Sequence, residues 1–479
     1  MRVCVVGAGP AGMYTLQALL RHGGLRERLR GVDLVEALPT PFGLVRYGVA
    51  PDHPEVKRVA HGWTEMVRQH AERVRYFGNV RLGTDVTLEE LSELYGVGGG
   101  GVILCTGAQG GDRALGVPGE TEHVNSAREL VAWYNGHPRY ARRAHWPSGS
   151  GDAIVIGNGN VAIDVARMLM RSAAELQRTD CSDAAVAVWE RFRARRIHIV
   201  GRRGAAQASW TAKELRELVT LRPAAGVVLH DMGEWDAERT SRSQRRCWEI
   251  LRQTRAPTAG ESAHEFGQLH LRFQLSPVAV ERVGEVVRVE CAQNQLVRTA
   301  DGNVRAVSRQ PAQRVCLEAA PGAVFRSIGY QAQAVPGLPF DAARNLIPNE
   351  RGSVEGAATA IYVAGWLKRG PQGIIGTNGP DAQETVERLA ADASEKWEGG
   401  SVEPENAESP LACLLQQRQV PYVDWHGWLR IDAEERRRGR AQNRPRVKLL
   451  SVEEMLAVAH GSVGESSCEC QQGEEGNVG

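Results

Sequence analysis

Three stretches of this chain carry residue types whose spacing points to chemistry, and all three point to nucleotides. Gly7-Ala8-Gly9-Pro10-Ala11-Gly12 follows the apolar run 2–6 without a spacer and opens a helical pattern of Met13, Leu16, Leu19 and Leu20. In such a turn Gly7 permits the sharp bend, and Gly9 lets backbone approach a pyrophosphate. Gly12 lets helix pack on strand, and the helix N-terminus faces the phosphate charge. A second apolar run, 32–35, ends in Glu36, a carboxylate able to accept hydrogen bonds from both hydroxyls of an unphosphorylated ribose. The device returns at Gly157-Asn158-Gly159-Asn160-Val161-Ala162, after the apolar run 153–156 and before a helix over 163–170. There the next strand, 196–201, ends in Arg202-Arg203 instead of an acid. Guanidinium forks hold a 2′-phosphate bidentately, where a carboxylate would repel it. An acid-ended unit and an arginine-ended unit together read as FAD and NADP(H). The bland alternatives are a glycine turn without a ligand and two solvated arginines.

The third stretch is 360–378, a buried strand running into the glycine-rich loop Gly365-Trp366-Leu367-Lys368-Arg369-Gly370-Pro371-Gln372-Gly373-Ile374-Ile375. A helix from Pro380, with Asp381 in its first turn, to about Ala393 follows. Such a helix N-terminus favours an anionic reduced flavin ring, and Trp366 with the backbone of Gly373, Ile374 and Ile375 can line an isoalloxazine. A plain strand-to-helix turn is the competing reading. Two titratable residues stand out, His53 as a candidate proton donor and Glu214 as a candidate cofactor contact. His53 lies in the proline-flanked Pro51-Asp52-His53-Pro54, where a structural histidine is equally common. Glu214 lies on a helix expected over 211–220, where it touches the nicotinamide half or merely pairs with Lys213 or Arg216.

The elements that must position these residues are legible from periodicity. A length of 479 residues suggests two to four domains, at about 150 residues each. Lys plus Arg (58) nearly equals Asp plus Glu (57), so no global field argues for nucleic acid or an anionic membrane. No apolar run reaches the roughly 18 residues of a membrane helix. Nine cysteines include no C-x-x-C pair, which argues for a reducing compartment and against both a zinc site and a dithiol redox centre. Met1 sits directly on the first strand, so no secretory or transit peptide is visible. Residues 38–57, rich in proline, read as an extended loop at the carboxyl end of a strand, placed for ligand contact. A helix is expected over 56–74, a strand over 79–82, and a buried strand over 102–105 ending in a small-residue turn. The long spacer 172–195 reads as a surface excursion with a helix over 184–192. The arginine-rich span 238–255 reads as a solvated face or a docking patch. Antiparallel strands are expected over 269–317, a returning strand over 323–330, an ordered stretch at 425–432 with a basic segment at 436–446, and a disordered tail over 465–479.

With these motifs laid out, the sequence resembles the adrenodoxin reductase family of ferredoxin–NADP⁺ reductases. The matching pieces are Pro41-Phe42-Gly43-Leu44-Val45-Arg46, Gly48-Val49-Ala50-Pro51-Asp52-His53-Pro54, Gly159-Asn160-Val161-Ala162, Gly201-Arg202-Arg203-Gly204, Lys213-Glu214-Leu215-Arg216 and Gly365-Trp366-Leu367-Lys368-Arg369-Gly370-Pro371. The resemblance runs to about residue 395, weakens to about 455 and then stops. It implies an α/β fold of two Rossmann-like, three-layer ββα nucleotide-binding domains, the NADP domain inserted into the FAD domain. The implied division is 1–107 and 330–460 for FAD, 108–329 for NADP, and 461–479 as a disordered tail. Ala11, Glu36, Leu44, Leu82, Trp366 and 373–375 match FAD-contacting positions. Residues 157–160, Arg202, Arg203, Glu214 and Gly373 match NADP contacts, and His53 and Glu214 match positions of proton handling. Arg242, Arg245 and Arg246 are similar to a docking surface for an acidic iron–sulfur ferredoxin. The implied reaction passes electrons from NADPH through FAD to a 2Fe–2S ferredoxin or adrenodoxin. A monomer is implied, mitochondrial in a eukaryote and cytoplasmic in a bacterium. The rival readings are a flavin disulfide reductase, which lacks its paired cysteines here, a monooxygenase, and a nucleotide-sensing module without catalysis.

Overall fold

The protein is described from a computed structural model. It covers residues 1–25, 27–96, 100–108, 111–143, 146–221, 226–234, 240–254, 267–300, 302–357, 360–395 and 409–461. Two parallel sheets organise it. In the first, Ile361–Val363, Gly101–Leu104, Arg2–Val6, Gly31–Glu36 and Val74–Gly78 lie side by side in that order, all parallel. The hairpin Asn349–Glu350 and Ser353–Val354 continues it antiparallel at one edge. Strands buried on both faces are mostly apolar, which is why they read as short hydrophobic runs. The buried Asp33 is an exception and takes hydrogen bonds from the Tyr95 and Ser409 hydroxyls. Helices Pro10–Arg21 and Asn378–Glu395 cover one face, and Leu88–Tyr95 with Pro410–Gln417 cover the other.

The second sheet runs Asn125–Ser126, Val324–Arg326, Gly149–Ile156, Phe192–Val200, Gln268–Arg272 and Val227–His230, again all parallel. Helices that include Ala127–Tyr134, Asn160–Leu169, Asp183–Arg191 and Ala212–Thr220 pack on one face. Four antiparallel strands from Leu275 to Ala319 cover the other, through Val280, Val289 and Leu317 against Ile154, Ile156 and Val200. This second unit is inserted into the first. The outgoing Gly111–Asp112 and the returning Tyr330–Gln331 pair antiparallel as a two-stranded ribbon.

Several elements differ from the reading above, each for a physical reason. The 38–57 stretch is not extended throughout. It holds helical turns at Gly43–Tyr47 and at Pro54–Lys57, where a first-turn proline sacrifices no hydrogen bond. The helix expected over 56–74 resumes as Val59–Gln69 and stops there. Val74 already belongs to a strand, because Tyr76 and Phe77 bury in the sheet, and Asn79, at φ 64°, turns the chain where a strand was expected. Gln268–Arg272 is not antiparallel but a parallel strand, buried between two others. The 172–195 spacer is no surface excursion: Leu176, Cys181, Ala185 and Trp189 bury in the core. The basic segment continues a helix, Trp425–Ala441. The tail over 465–479, with Arg239 and Arg255 of the arginine-rich span, lies outside the described residues.

Candidate active site

A single cleft of about 2580 Å³ runs between the two sheets, and both glycine turns open into it. In the first turn Gly7 has φ +108°, and a Cβ there would lie 2.6 Å from the Cys105 carbonyl oxygen. A Cβ on Gly12 would lie 1.7 Å from the Gly7 carbonyl oxygen, so Gly12 serves helix packing and does not itself line the cleft. Gly9 precedes helix Pro10–Arg21 with no side-chain cap, which leaves the first-turn N–H groups for an anion. Glu36 ends its strand beside this turn. The Ala8 N–H donates to its Oε2 at 2.9 Å and the Leu38 N–H to its Oε1 at 3.2 Å. Burial raises its pKa above the usual carboxylate range. Such a turn, with a carboxylate at the end of the next strand, can hold the ribose and pyrophosphate of a dinucleotide.

Ala11, Leu44, Leu82, Trp366, Gly373, Ile374 and Ile375 line the same cleft. Leu44 is 42% and Ile374 62% exposed, so both present apolar surface to the cavity. Trp366 stacks on Tyr330 with ring centroids 5.3 Å apart. The loop carrying Trp366 is anchored from below: the Gly365 N–H donates to Asp381 Oδ2 at 2.5 Å, and Lys368 and Arg369 flank that carboxylate. The following helix, Asn378–Glu395, starts two residues earlier than its sequence suggested, because Asn378 takes the last bonds of the preceding turn through its side chain.

At the second turn Gly157 has φ +138°, with the Ser327 carbonyl oxygen 2.0 Å from where a Cβ would stand. Gly159, the N-cap of helix Asn160–Leu169, has no neighbour within 4 Å, so it leaves open space through which a ligand can approach the backbone. Gly157, Asn158, Gly159 and Asn160 all line the cleft, and Asn160 Oδ1 accepts from the Thr211 N–H at 2.9 Å. Arg202 and Arg203 reach the cleft from a loop pinned by Asn294 Nδ2 to the Arg202 carbonyl (2.9 Å) and by Gln274 N–H to the Arg203 carbonyl (3.1 Å). Among the described residues neither guanidinium has a carboxylate partner, and burial and mutual repulsion lower the Arg203 pKa. Two unneutralised guanidiniums side by side are a seat for a phosphate dianion.

Between the two turns the structure brings His53 and Glu214 together, with four residues that sequence reading missed. His53 caps Pro54–Lys57, and its Nδ1 lies 3.9 Å from Glu214 Oε2. Its Nε2 is closer to Glu217, at 2.9 Å from Oε2. The fully buried Arg167 occupies the centre. Its Nε and Nη2 donate to Asp52 at 2.9 and 3.1 Å and its Nη1 to Glu214 at 3.3 Å, and Asp164 lies 2.9 Å from Nη1. Glu214 therefore pairs with neither Lys213 nor Arg216, as the plain reading had it; Lys213 reaches Glu55. Burial pushes Asp164 up to about 6 against the pull of Arg167. The available signal was spacing: Asp164 with Arg167, and Glu214 with Glu217, each three apart on a helix and so on one face. Arg242, Arg245 and Arg246 stand elsewhere, exposed on helix Arg242–Gln253 beside Glu249.

Comparison with known proteins finds relatives over nearly the whole chain. A family model described as pyridine nucleotide-disulphide oxidoreductase matches residues 1–221. The chain is 38% identical over 480 residues to a mitochondrial NADPH:adrenodoxin oxidoreductase of Arabidopsis thaliana, covering 96% of this chain and 95% of that one. It is 39% identical over 472 residues to the NADPH-ferredoxin reductase FprA of Mycobacterium tuberculosis, covering 96% and 99%. The structure of Mycobacterium tuberculosis FprA in complex with NADPH superposes with a TM-score of 0.84 at 37% identity, over 96% of this chain and 99% of that one.

Proposed function

The chain belongs to the adrenodoxin reductase family of ferredoxin–NADP⁺ reductases, and from that premise we propose that it passes electrons from NADPH through FAD to an iron–sulfur ferredoxin. One observation carries the reading: a single cleft ends its first nucleotide strand in Glu36 and its second in Arg202 and Arg203. In this reading residues 1–107 and 330–460 form the FAD domain and 108–329 the NADP domain. Gly7, Gly9, Ala11 and Glu36 hold the adenosine and pyrophosphate of FAD, with Gly12 seating the helix behind them, and Leu44, Leu82, Trp366, Gly373, Ile374 and Ile375 enclose its ring. Residues 157–160 with Arg202 and Arg203 grip the 2′-phosphorylated half of NADP(H), and Glu214 and Gly373 meet its nicotinamide half. The bound flavin supplies the change from two-electron to one-electron chemistry.

The protein's own task is then placement and charge. Arg167 ties Asp52 and Glu214 together, and His53, seated between Glu214 and Glu217, keeps Nε2 against the Glu217 carboxylate at 2.9 Å. Arg242, Arg245 and Arg246 form a cationic face for an acidic partner. The compartment follows the lineage: mitochondrial matrix in a eukaryote, cytoplasm in a bacterium, with the chain acting as a monomer. A disulfide reductase would need paired thiols at the flavin; Cys105 is the one cysteine lining the cleft among the described residues. The test is a visible spectrum of the purified protein, then anaerobic titration with NADPH and with NADH in the presence of a 2Fe–2S ferredoxin. A yellow protein bleached preferentially by NADPH, with reduction of the ferredoxin, is expected. A colourless one, or one bleached equally by either nucleotide, would overturn the reading.

A further inference from the structure

The 172–195 spacer takes no part in the cleft, yet it turns one carboxylate inward. Asp180 is 8% exposed, and Lys57 and Lys448, from two distant parts of the chain, converge on its carboxylate. Lys57 Nζ donates to Asp180 Oδ1 at 2.7 Å and Oδ2 at 2.8 Å, and to Asn135 Oδ1 at 3.1 Å. Lys448 Nζ lies 2.8 Å from Asp180 Oδ2, and its side chain is also buried. Arg444 closes the loop from outside, donating to the Thr179 carbonyl at 3.1 Å and bonding the Cys181 carbonyl and Asp183. Lys57 belongs to the first unit, Asn135 and Asp180 to the second, and Arg444 and Lys448 to the C-terminal segment that packs on both.

Lys57 is also the last residue of the four-residue helix that His53 caps. The ammonium gripping Asp180 therefore sits one turn from His53, which lines the cleft. Contacts between domains ordinarily leave room for relative motion. A buried ion pair does not, because sliding apart leaves two uncompensated charges in a low dielectric. We propose that Asp180 is a positioning residue. Through Lys57 it fixes the NADP-binding unit against the FAD-binding unit and so sets the stacking of nicotinamide on flavin, while touching neither. This rests on the flavoprotein reading above. It separates grip from placement: Arg202, Arg203 and residues 157–160 bind NADPH within one unit, whereas the distance to flavin is set between units.

The test compares Lys57→Met and Asp180→Asn with the unmodified holoenzyme. Lys57→Met leaves Asp180 matched one-to-one with Lys448, so its buried charge stays compensated. If Asp180→Asn, which strips two lysines of their counter-charge, yields no folded flavoprotein, Lys57→Met decides alone. Expected for each folded variant are full flavin content and a KM for NADPH within about twofold. The rate of flavin reduction should fall roughly tenfold or more, as small misplacements of reacting groups cost. The long-wavelength charge-transfer absorbance formed on mixing with NADPH should weaken. An unchanged rate per flavin and an unchanged band, with only a lower melting temperature, would overturn the proposal, as would a Lys57→Met chain that does not fold. Unmodified protein without flavin, or not reduced by NADPH, would instead sink the functional reading itself.

Discussion

At the residue scale the site is governed by which charges are left without partners. Among the described residues Arg202 and Arg203 have no carboxylate partner, which is what a phosphate-binding pair requires. Changing both to Ala should raise the KM for NADPH roughly 10- to 100-fold, the worth of one or two charge-assisted hydrogen bonds, and leave the KM for NADH nearly unchanged. Steady-state reduction of ferricyanide measures both, and an equal rise would remove the assignment. Asp164 makes a second, pH-dependent statement. Burial raises its pKa from 3.8 to about 6, so the folded chain holds this proton more tightly than the unfolded one. Its contribution to stability therefore falls as pH rises from about 4 to about 6. Asp164→Asn, which never ionises, should gain on the unmodified protein across that window by up to ~3 kcal/mol. Melting temperatures of the two at pH 4 and pH 7 check this; a constant gap would refute it.

Two glycines that look alike in sequence do different work as parts of their elements. Gly12 lies where helix Pro10–Arg21 crosses its strand, and a Cβ would overlap the Gly7 carbonyl oxygen. Gly12→Ala should therefore prevent the first turn from closing, and the protein should be recovered poorly or without flavin. Gly159 opens helix Asn160–Leu169 into empty space. Gly159→Ala should fold with full flavin content and unchanged melting temperature, yet bind NADP⁺ at least about tenfold more weakly, because its methyl group stands where the pyrophosphate must approach. Calorimetric titration distinguishes the two. If Gly159→Ala bound NADP⁺ normally, the second turn would not be a nucleotide cradle.

For the molecule as a whole, net charge is near zero, so any electrostatic steering must come from local patches. On the proposed docking role of Arg242, Arg245 and Arg246, reduction of a 2Fe–2S ferredoxin should fall steeply as salt rises past 0.1 M, where charges are screened beyond about 10 Å. Ferricyanide reduction should change little over the same range. Flat salt dependence with the ferredoxin would refute the role.

The two nucleotide units, their order and their contrasting ends were legible in the chain because those features are local. A glycine turn, the strand before it and the residue ending the next strand lie within residues 2–36 in the first unit and 153–203 in the second, and their chemistry does not depend on distant packing. Strand registers, the parallel placement of Gln268–Arg272 and the inward turn of the 172–195 spacer were not legible, because each depends on neighbours far away in sequence. The clearest case is the charge network. Arg167 and Asp180 look like ordinary surface residues until Asp52 and Lys57, more than a hundred positions earlier, are folded against them. A buried charge is tolerable only with its partner in place, so residue types could name the ligands but only the tertiary structure decided which charges stand guard between them.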